Sequence, residues 1–257
     1  MTRWLAATLA LLAASAAADP PAVLLVGDST MAPQTGYGDA LCERLEPAAA
    51  CLNLGRGGRS TLSYRAEGLW QRVIARLQAG EPGVPRHVLI QFGHNDQPGK
   101  PGRSTDLASE YPANLKRYVD EVRAAGGQPV LVTPLTRRSF RGDTLNNDLQ
   151  PWADAMRAVA REAKVPLIDL NAISAAAVQA MGSTEADQLA MSPPGADGFD
   201  RTQPMTRGAC VFAAPMATAL AAEVPTLAAA LRPGPDCRSV PPPSIEAAPM
   251  QLNRATY

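Results

Sequence analysis

The chain has 257 residues, 46% hydrophobic and 19% charged, ordinary proportions for a globular protein with one sizeable core. Lysine plus arginine and aspartate plus glutamate balance at 24 each, which excludes the basic footprint of a nucleic-acid binder or of a protein held on anionic lipid. The expected ligand is a small or neutral molecule, or one recognised by local groups.

The first residues, MTRWLAATLALLAASAAADPP, carry Arg3, then an apolar stretch, then small residues ending at Ala18. That is the grammar of an export signal over residues 1–18, cleaved before Asp19. The run falls short of the roughly 20 apolar residues a bilayer-spanning helix needs, and no cysteine follows it to carry a lipid. A secreted or periplasmic protein with no membrane insertion is expected. Export puts Cys42, Cys51, Cys210 and Cys237 in an oxidising compartment, where an even set reads as two disulfides. Three pairings are open; Cys42–Cys51 with Cys210–Cys237 closes the shortest loops and is favoured. A zinc site would want a CxxC pair or a histidine near a cysteine, and the chain has neither, so no metal and no cofactor are expected.

Along the chain, short apolar runs recur at 22–27 (AVLLVG), 51–55 (CLNLG), 87–93 (HVLIQFG), 128–134 (QPVLVTP) and 165–170 (VPLIDL). Continuous apolar character suits strands of a parallel sheet covered on both faces. Between the third and fourth runs, Tyr111, Leu115, Tyr118, Val119 and Val122 fall on one helical face, with Gly126 as a stop. Between the fourth and fifth, Trp152, Met156, Val159 and Ala163 do the same. These stripes read as core. The alternation predicts an α/β fold: a three-layer α/β/α sandwich with a roughly five-stranded parallel sheet, over residues 19–232. From 233 to 257 proline is too frequent for a helix or central strand, and a tail is expected, tethered at Cys237.

In such folds sites form beyond the carboxyl ends of the strands, so the segments after each strand carry the chemical reading. After the first comes Gly27-Asp28-Ser29-Thr30, able to present a serine hydroxyl or merely to cap a turn. After the second comes NLGRGGRST, whose adjacent Gly57 and Gly58 leave backbone N–H groups open to a ligand. After the third comes GHND, where Asn95 offers a side-chain amide to an oxyanion or simply makes an Asx turn. Each segment alone is weak.

Together, in this order, they resemble the SGNH (GDSL-type) hydrolases, whose sheet is flavodoxin-like, and within them the rhamnogalacturonan acetylesterase-like branch. The matching stretches are GDSTM, GGRST, YRAEGLW, IQFGHND, PVLVTPLTRR and LIDL, across roughly residues 22 to 220. The resemblance implies Ser29 as a nucleophile acylated by an ester. It also implies an oxyanion hole from the Ser29 and Gly58 N–H groups and the Asn95 amide. Arg59, His94, Arg137 and Arg138 become candidate contacts to an acidic sugar.

One family feature is missing. The last motif, Asp-x-x-His, aligns with DRTQPMTRGA at 200–209, where Asp200, Thr202, Gly208 and Ala209 fit but the histidine position is Gln203. A glutamine amide holds a hydrogen bond but does not accept a proton near neutral pH. His87 begins a strand at the end away from the site, His94 belongs to GHND, and Asp197 or Asp200 acting through water would be a poor base for a serine hydroxyl. The expectation is a secreted carbohydrate O-acetylesterase, monomeric, acting on an acetylated polysaccharide or oligosaccharide with turnover impaired at Gln203. Two alternatives are a non-catalytic carbohydrate-binding relative and a lipase or thioesterase of the same superfamily.

Overall fold

A computed structural model describes residues 20–191 and 199–240. The expected export signal, Asp197 and the expected tail beyond 240 lie outside these residues.

In chain order the elements are β1 (Ala22–Gly27), α1 (Gly38–Cys42), β2 (Ala50–Asn53), α2 (Ser63–Ala66), α3 (Leu69–Gln78) and β3 (Arg86–Gln91). Then follow α4 (Glu110–Ala124), β4 (Gln128–Val132), a hairpin of β5 (Phe140–Arg141) and β6 (Thr144–Leu145), and α5 (Gln150–Ala163). The chain continues through β7 (Leu167–Ile168), α6 (Leu170–Asp187), β8 (Ala190–Met191), β9 (Asp200–Pro204), α7 (Arg207–Glu223) and α8 (Pro225–Ala228).

Five strands form one parallel sheet in the order β2-β1-β3-β4-β7. All five apolar runs are therefore strands, and the α/β reading holds. The reason for their unbroken apolar character is visible in β1. Val23 and Leu25 enter the core under α1, α6 and α7, while Leu24 and Val26 enter the core under α3, α4 and α5. Both faces are covered, so no position is left for a polar residue.

The two helical stripes are buried as expected. Tyr111, Leu115, Tyr118, Val119 and Val122 are fully enclosed on α4, and Trp152, Met156 and Val159 are buried on α5. Ala163, at the end of α5, is only partly covered. Gly126 sits at φ 77° just past α4, the left-handed stop that glycine makes without strain.

Two disulfides join Cys42 to Cys51 and Cys210 to Cys237. The first ties α1 to β2. The second ties α7 to the proline-rich segment after Arg232, so the described start of the tail is fastened to the domain. Among the described residues, no helix is long and apolar enough to cross a membrane.

The sequence did not announce the antiparallel pair β8–β9, which pairs Ala190 with Pro204 and Met191 with Asp200. It pairs a two-residue apolar stretch with a polar one, DRTQP, neither of which alternates, and its existence depends on long-range pairing. Between β9 and α7, Thr206 adopts φ 42°, an uncommon conformation for a β-branched residue.

Candidate active site

The carboxyl edge of the sheet gathers the loops after β1, β2 and β3. Gly27 ends β1 at a tight approach: a Cβ there would lie 2.7 Å from the Gln91 carbonyl oxygen of β3. Glycine is required for packing at this point. The chain then turns so that the Met31 and Ala32 amides donate to the Asp28 carbonyl. Ser29, 8% exposed, is fixed through its own carbonyl, which accepts from Thr35 Oγ1 at 2.7 Å.

Under this turn runs a buried chain of hydrogen bonds. Tyr37 donates to Gln91 Oε1, Gln91 Nε2 donates to Thr30 Oγ1, and Thr30 donates through its hydroxyl and amide to Asp28 Oδ1. Asp28 Oδ2 lies 3.2 Å from His94 Nδ1, linking the first loop to the third. Burial by itself would raise the Asp28 carboxyl; the neighbouring His94 and the bonds from His94 and Thr30 outweigh it and hold it below the ordinary carboxylate value. His94 is 2% exposed, and its Nε2 is buried without a hydrogen-bond partner among the described residues.

The second loop lies against both neighbours. A Cβ on Gly57 would be 3.7 Å from Ser29 Cβ, so the glycine pair sits directly beside the serine. Gly58 adopts φ 78°, where a side chain would be strained. Asn95, 7% exposed, donates from Nδ2 to the Arg59 carbonyl at 3.1 Å. Ser29, Gly57-Gly58 and Asn95 thus belong to one contiguous cluster.

Asp96, the last residue of GHND, secures this cluster from behind. It is fully buried and accepts from the Thr61 amide, the Thr61 hydroxyl and the Thr105 hydroxyl. Burial pushes its carboxyl up to about 7 against those bonds. Helix α4 braces the same Thr61: Tyr118 donates to its carbonyl and Asn114 to its hydroxyl. The site therefore rests on rigid elements.

The arginines divide by environment. Arg59 turns back onto Glu67 and clamps the Gly57 carbonyl through Nη1 at 2.7 Å. Arg137 pairs with Asp148 through Nη1. Arg138 is fully buried, not a surface cation, which corrects its reading as a sugar contact. Its Nη2 donates to the Asp200 carbonyl at 2.9 Å and the Gln203 carbonyl at 3.0 Å, and its own amide donates to the Arg201 carbonyl. Burial pulls its pKa down to about 10, so the group stays charged. It is the internal anchor of β9.

Asp200 and Gln203 are both half-buried on that strand. Asp200 Oδ1 accepts from the Thr202 amide at 2.8 Å and the Gln203 amide at 3.2 Å. Among the described residues no hydrogen bond joins either of them to Ser29. His87 lies far from the cluster along β3, fully buried, with Nε2 3.4 Å from Thr226 Oγ1 of α8.

Two cations escaped the sequence reading. Lys100 donates from Nζ to the His94 carbonyl, and Arg103 donates from Nη1 to the Gly58 carbonyl at 3.3 Å. Burial lowers the Lys100 pKa, and nearby Arg137 and Arg103 lower it further. Their signal was the sequence GKPGR directly after GHNDQP, which composition alone does not separate from a surface loop. Among the described residues no group of three His, Cys, Asp or Glu side chains is placed to hold a metal ion.

Chemically, the cluster offers a little-exposed hydroxyl beside glycine amides and a carboxamide, with a cationic rim. Comparison with known proteins agrees. Residues 25–196 match the model of the GDSL-like Lipase/Acylhydrolase family. The chain is 35% identical to rhamnogalacturonan acetylesterase RhgT of Bacillus subtilis over 178 residues, covering 66% of this chain and 73% of that protein. It is 32% identical to the probable rhamnogalacturonan acetylesterase YesY of the same organism over 155 residues, 58% of this chain and 69% of that protein. Its fold superposes on the crystal structure of Bacillus subtilis YxiM with a TM-score of 0.64 at 24% identity, covering 78% of this chain and 56% of the other. The chain is a member of the GDSL-like lipase/acylhydrolase family of esterases.

Proposed function

We propose that this protein is an exported carbohydrate O-acetylesterase in which Ser29 is the nucleophile. Its oxyanion hole consists of the Ser29 and Gly58 N–H groups and the Asn95 amide. The observation that carries this reading is the contact of three loops: Ser29 against Gly57, and Asn95 on the Arg59 carbonyl. A tetrahedral oxyanion needs several fixed donors, and losing one from such a site costs ~10²–10³ in rate. Export is supported by the leader sequence and by two disulfides, which persist in oxidising compartments.

The substrate is an acetylated, carboxylate-bearing polysaccharide of the pectin or rhamnogalacturonan type. The half-buried cations Lys100, Arg103 and Arg137 around the loops support this choice, because they suit a chain of acidic sugars better than a lipid. The named relatives support it too: RhgT is a rhamnogalacturonan acetylesterase.

Turnover is slow. Ser29 lacks a strong base, since Gln203 stands where the family motif has histidine and an amide does not take the serine proton. The test is acetate release from acetylated rhamnogalacturonan, with p-nitrophenyl acetate as a permissive ester. Weak, Ser29-dependent release is expected. Release that survives Ser29→Ala unchanged would remove the assignment.

A further inference from the structure

A second cleft lies between the end of α1, the first turns of α7 and the segment fastened by the Cys210–Cys237 disulfide. Its volume is about 430 Å³, within the range of ligand sites, and it shares no residue with the cluster around Ser29. Three guanidinium groups line it: Arg44, Arg207 and Arg238.

Arg44 is the unusual member. It is only 7% exposed, yet among the described residues its Nε is buried without a hydrogen-bond partner, and its Nη2 has no acceptor there better than the two disulfide sulfurs, each at 3.8 Å. The guanidinium is wedged against the backbone of Gly234, where a Cβ would come within 2.3 Å of Arg44 Cζ. Its backbone is pinned on both sides, with the amide donating to Leu41 and the carbonyl accepting from Arg232. Burial lowers its pKa and the adjacent Glu43 partly offsets this, but the group stays protonated.

A buried charge is normally paired, since the penalty of removing it from water is several kcal/mol or so. Arg44 has no carboxylate within ion-pair distance among the described residues, and neither do Arg207 and Arg238. The Arg207 Nε is also buried and, among the described residues, without a hydrogen-bond partner. Two acids line the cleft as well. Asp236 already accepts from the Arg238 amide, and Glu185 is exposed with no bond to any of the three. Arg44 is held in place without an ion-pair partner among the described residues.

We propose that this cleft binds an oxyanion, a carboxylate or phosphate group, between Arg44, Arg207 and Arg238. Guanidinium forks match such planar or tetrahedral anions and bind them with two parallel hydrogen bonds. A bound anion gives the three guanidinium groups the charge partner that they lack among the described residues. It also draws the disulfide-fastened segment, which carries Arg238, onto α7. The ligand is recognised by its charge and oxygens, and the site is independent of the esterase reading.

Calorimetric titration of the full-length protein separates the possibilities. The probes are inorganic phosphate and glucuronate, with glucose as the neutral counterpart and sodium chloride holding ionic strength constant. Saturable one-site binding of phosphate or glucuronate is expected, with no response to glucose. The tighter of the two anions names the source of the oxyanion. Arg207→Gln with Arg238→Gln, on partly exposed side chains, should weaken binding at least ~10-fold, a loss of about 1.4 kcal/mol. Arg44→Lys should weaken it as well, and if that variant does not fold the double variant still decides. Ser29→Ala should bind as wild type does, so loss of esterase activity and loss of anion binding remain distinct. No saturation, a heat matched by sodium chloride alone, or a double variant with wild-type affinity would overturn the proposal.

Discussion

Replacing Gln203 by histidine tests the proposal that residue 203 is the base position of this esterase and that its glutamine limits turnover. The local frame is already in place. Arg138 holds the Asp200 carbonyl at 2.9 Å and the Gln203 carbonyl itself at 3.0 Å, bonds made to backbone that do not depend on the side chain at 203. Asp200 Oδ1 is occupied by the Thr202 and Gln203 amides, which leaves the second carboxylate oxygen to accept an imidazole N–H. Loss of the histidine from an intact serine-protease triad costs ~2 × 10⁶ in kcat. Full recovery is not expected: Pro204 and the strained Thr206 lie just beyond, and a misplacement of about 1 Å costs ~10²-fold. A gain of ~10³–10⁴ in kcat/KM follows, equivalent to ~4–5.5 kcal/mol of transition-state stabilisation. The assay is acetate release by wild type, Gln203→His, the Ser29→Ala double variant and the Asp200→Asn double variant. Both double variants should lose the gain. A wild type that already turns over rapidly, with nothing added by histidine, would mean that another residue takes the proton.

The Asp96 carboxyl, at about 7 against an ordinary 3.8, keeps in the folded state a proton that the unfolded chain releases. Its stabilising contribution is present below 3.8 and lost as pH rises through 7, so Asp96→Asn should flatten the fall in urea midpoint between about pH 4.5 and about pH 8; parallel profiles would refute this. Removing the Cys210–Cys237 bridge, which spans 27 residues, by paired serine substitution should cost about 3–4 kcal/mol on the chain-entropy account, read from urea unfolding without reductant. Arg138→Met leaves the Asp200 and Gln203 carbonyls without their donor, and hydrogen exchange over residues 201–203 should quicken ~10-fold or more. Unchanged exchange there would show that β9 does not depend on the guanidinium.

Most of the frame was legible in the chain because local pattern and tertiary role coincide. An unbroken run such as VLLV can be buried on both faces only in a covered parallel strand, and the stripe from Tyr111 to Val122 has one way to meet it. The family motifs were legible for a similar reason: each follows its strand immediately, so sheet topology alone brings Ser29, Gly57 and Asn95 to one edge. The two cysteine pairs were the shortest closures and are the ones formed.

What the tertiary structure decided concerns groups whose meaning depends on partners distant in sequence. Asp28 and His94 are 66 residues apart and read separately as a turn cap and a motif residue; in the fold they are a buried pair. Adjacent arginines at 137 and 138 look equivalent, yet one pairs with Asp148 near the rim while the other is sealed beneath β9. Arg44 carries no motif at all, and its unneutralised burial follows from a disulfide that brings in the segment around Gly234 from nearly the far end of the chain. Local pattern sets which strands and helices form, because hydrophobic burial is read residue by residue. The charge state and partner of a polar group are set by the dielectric and donors around it, and those exist only once the chain has folded.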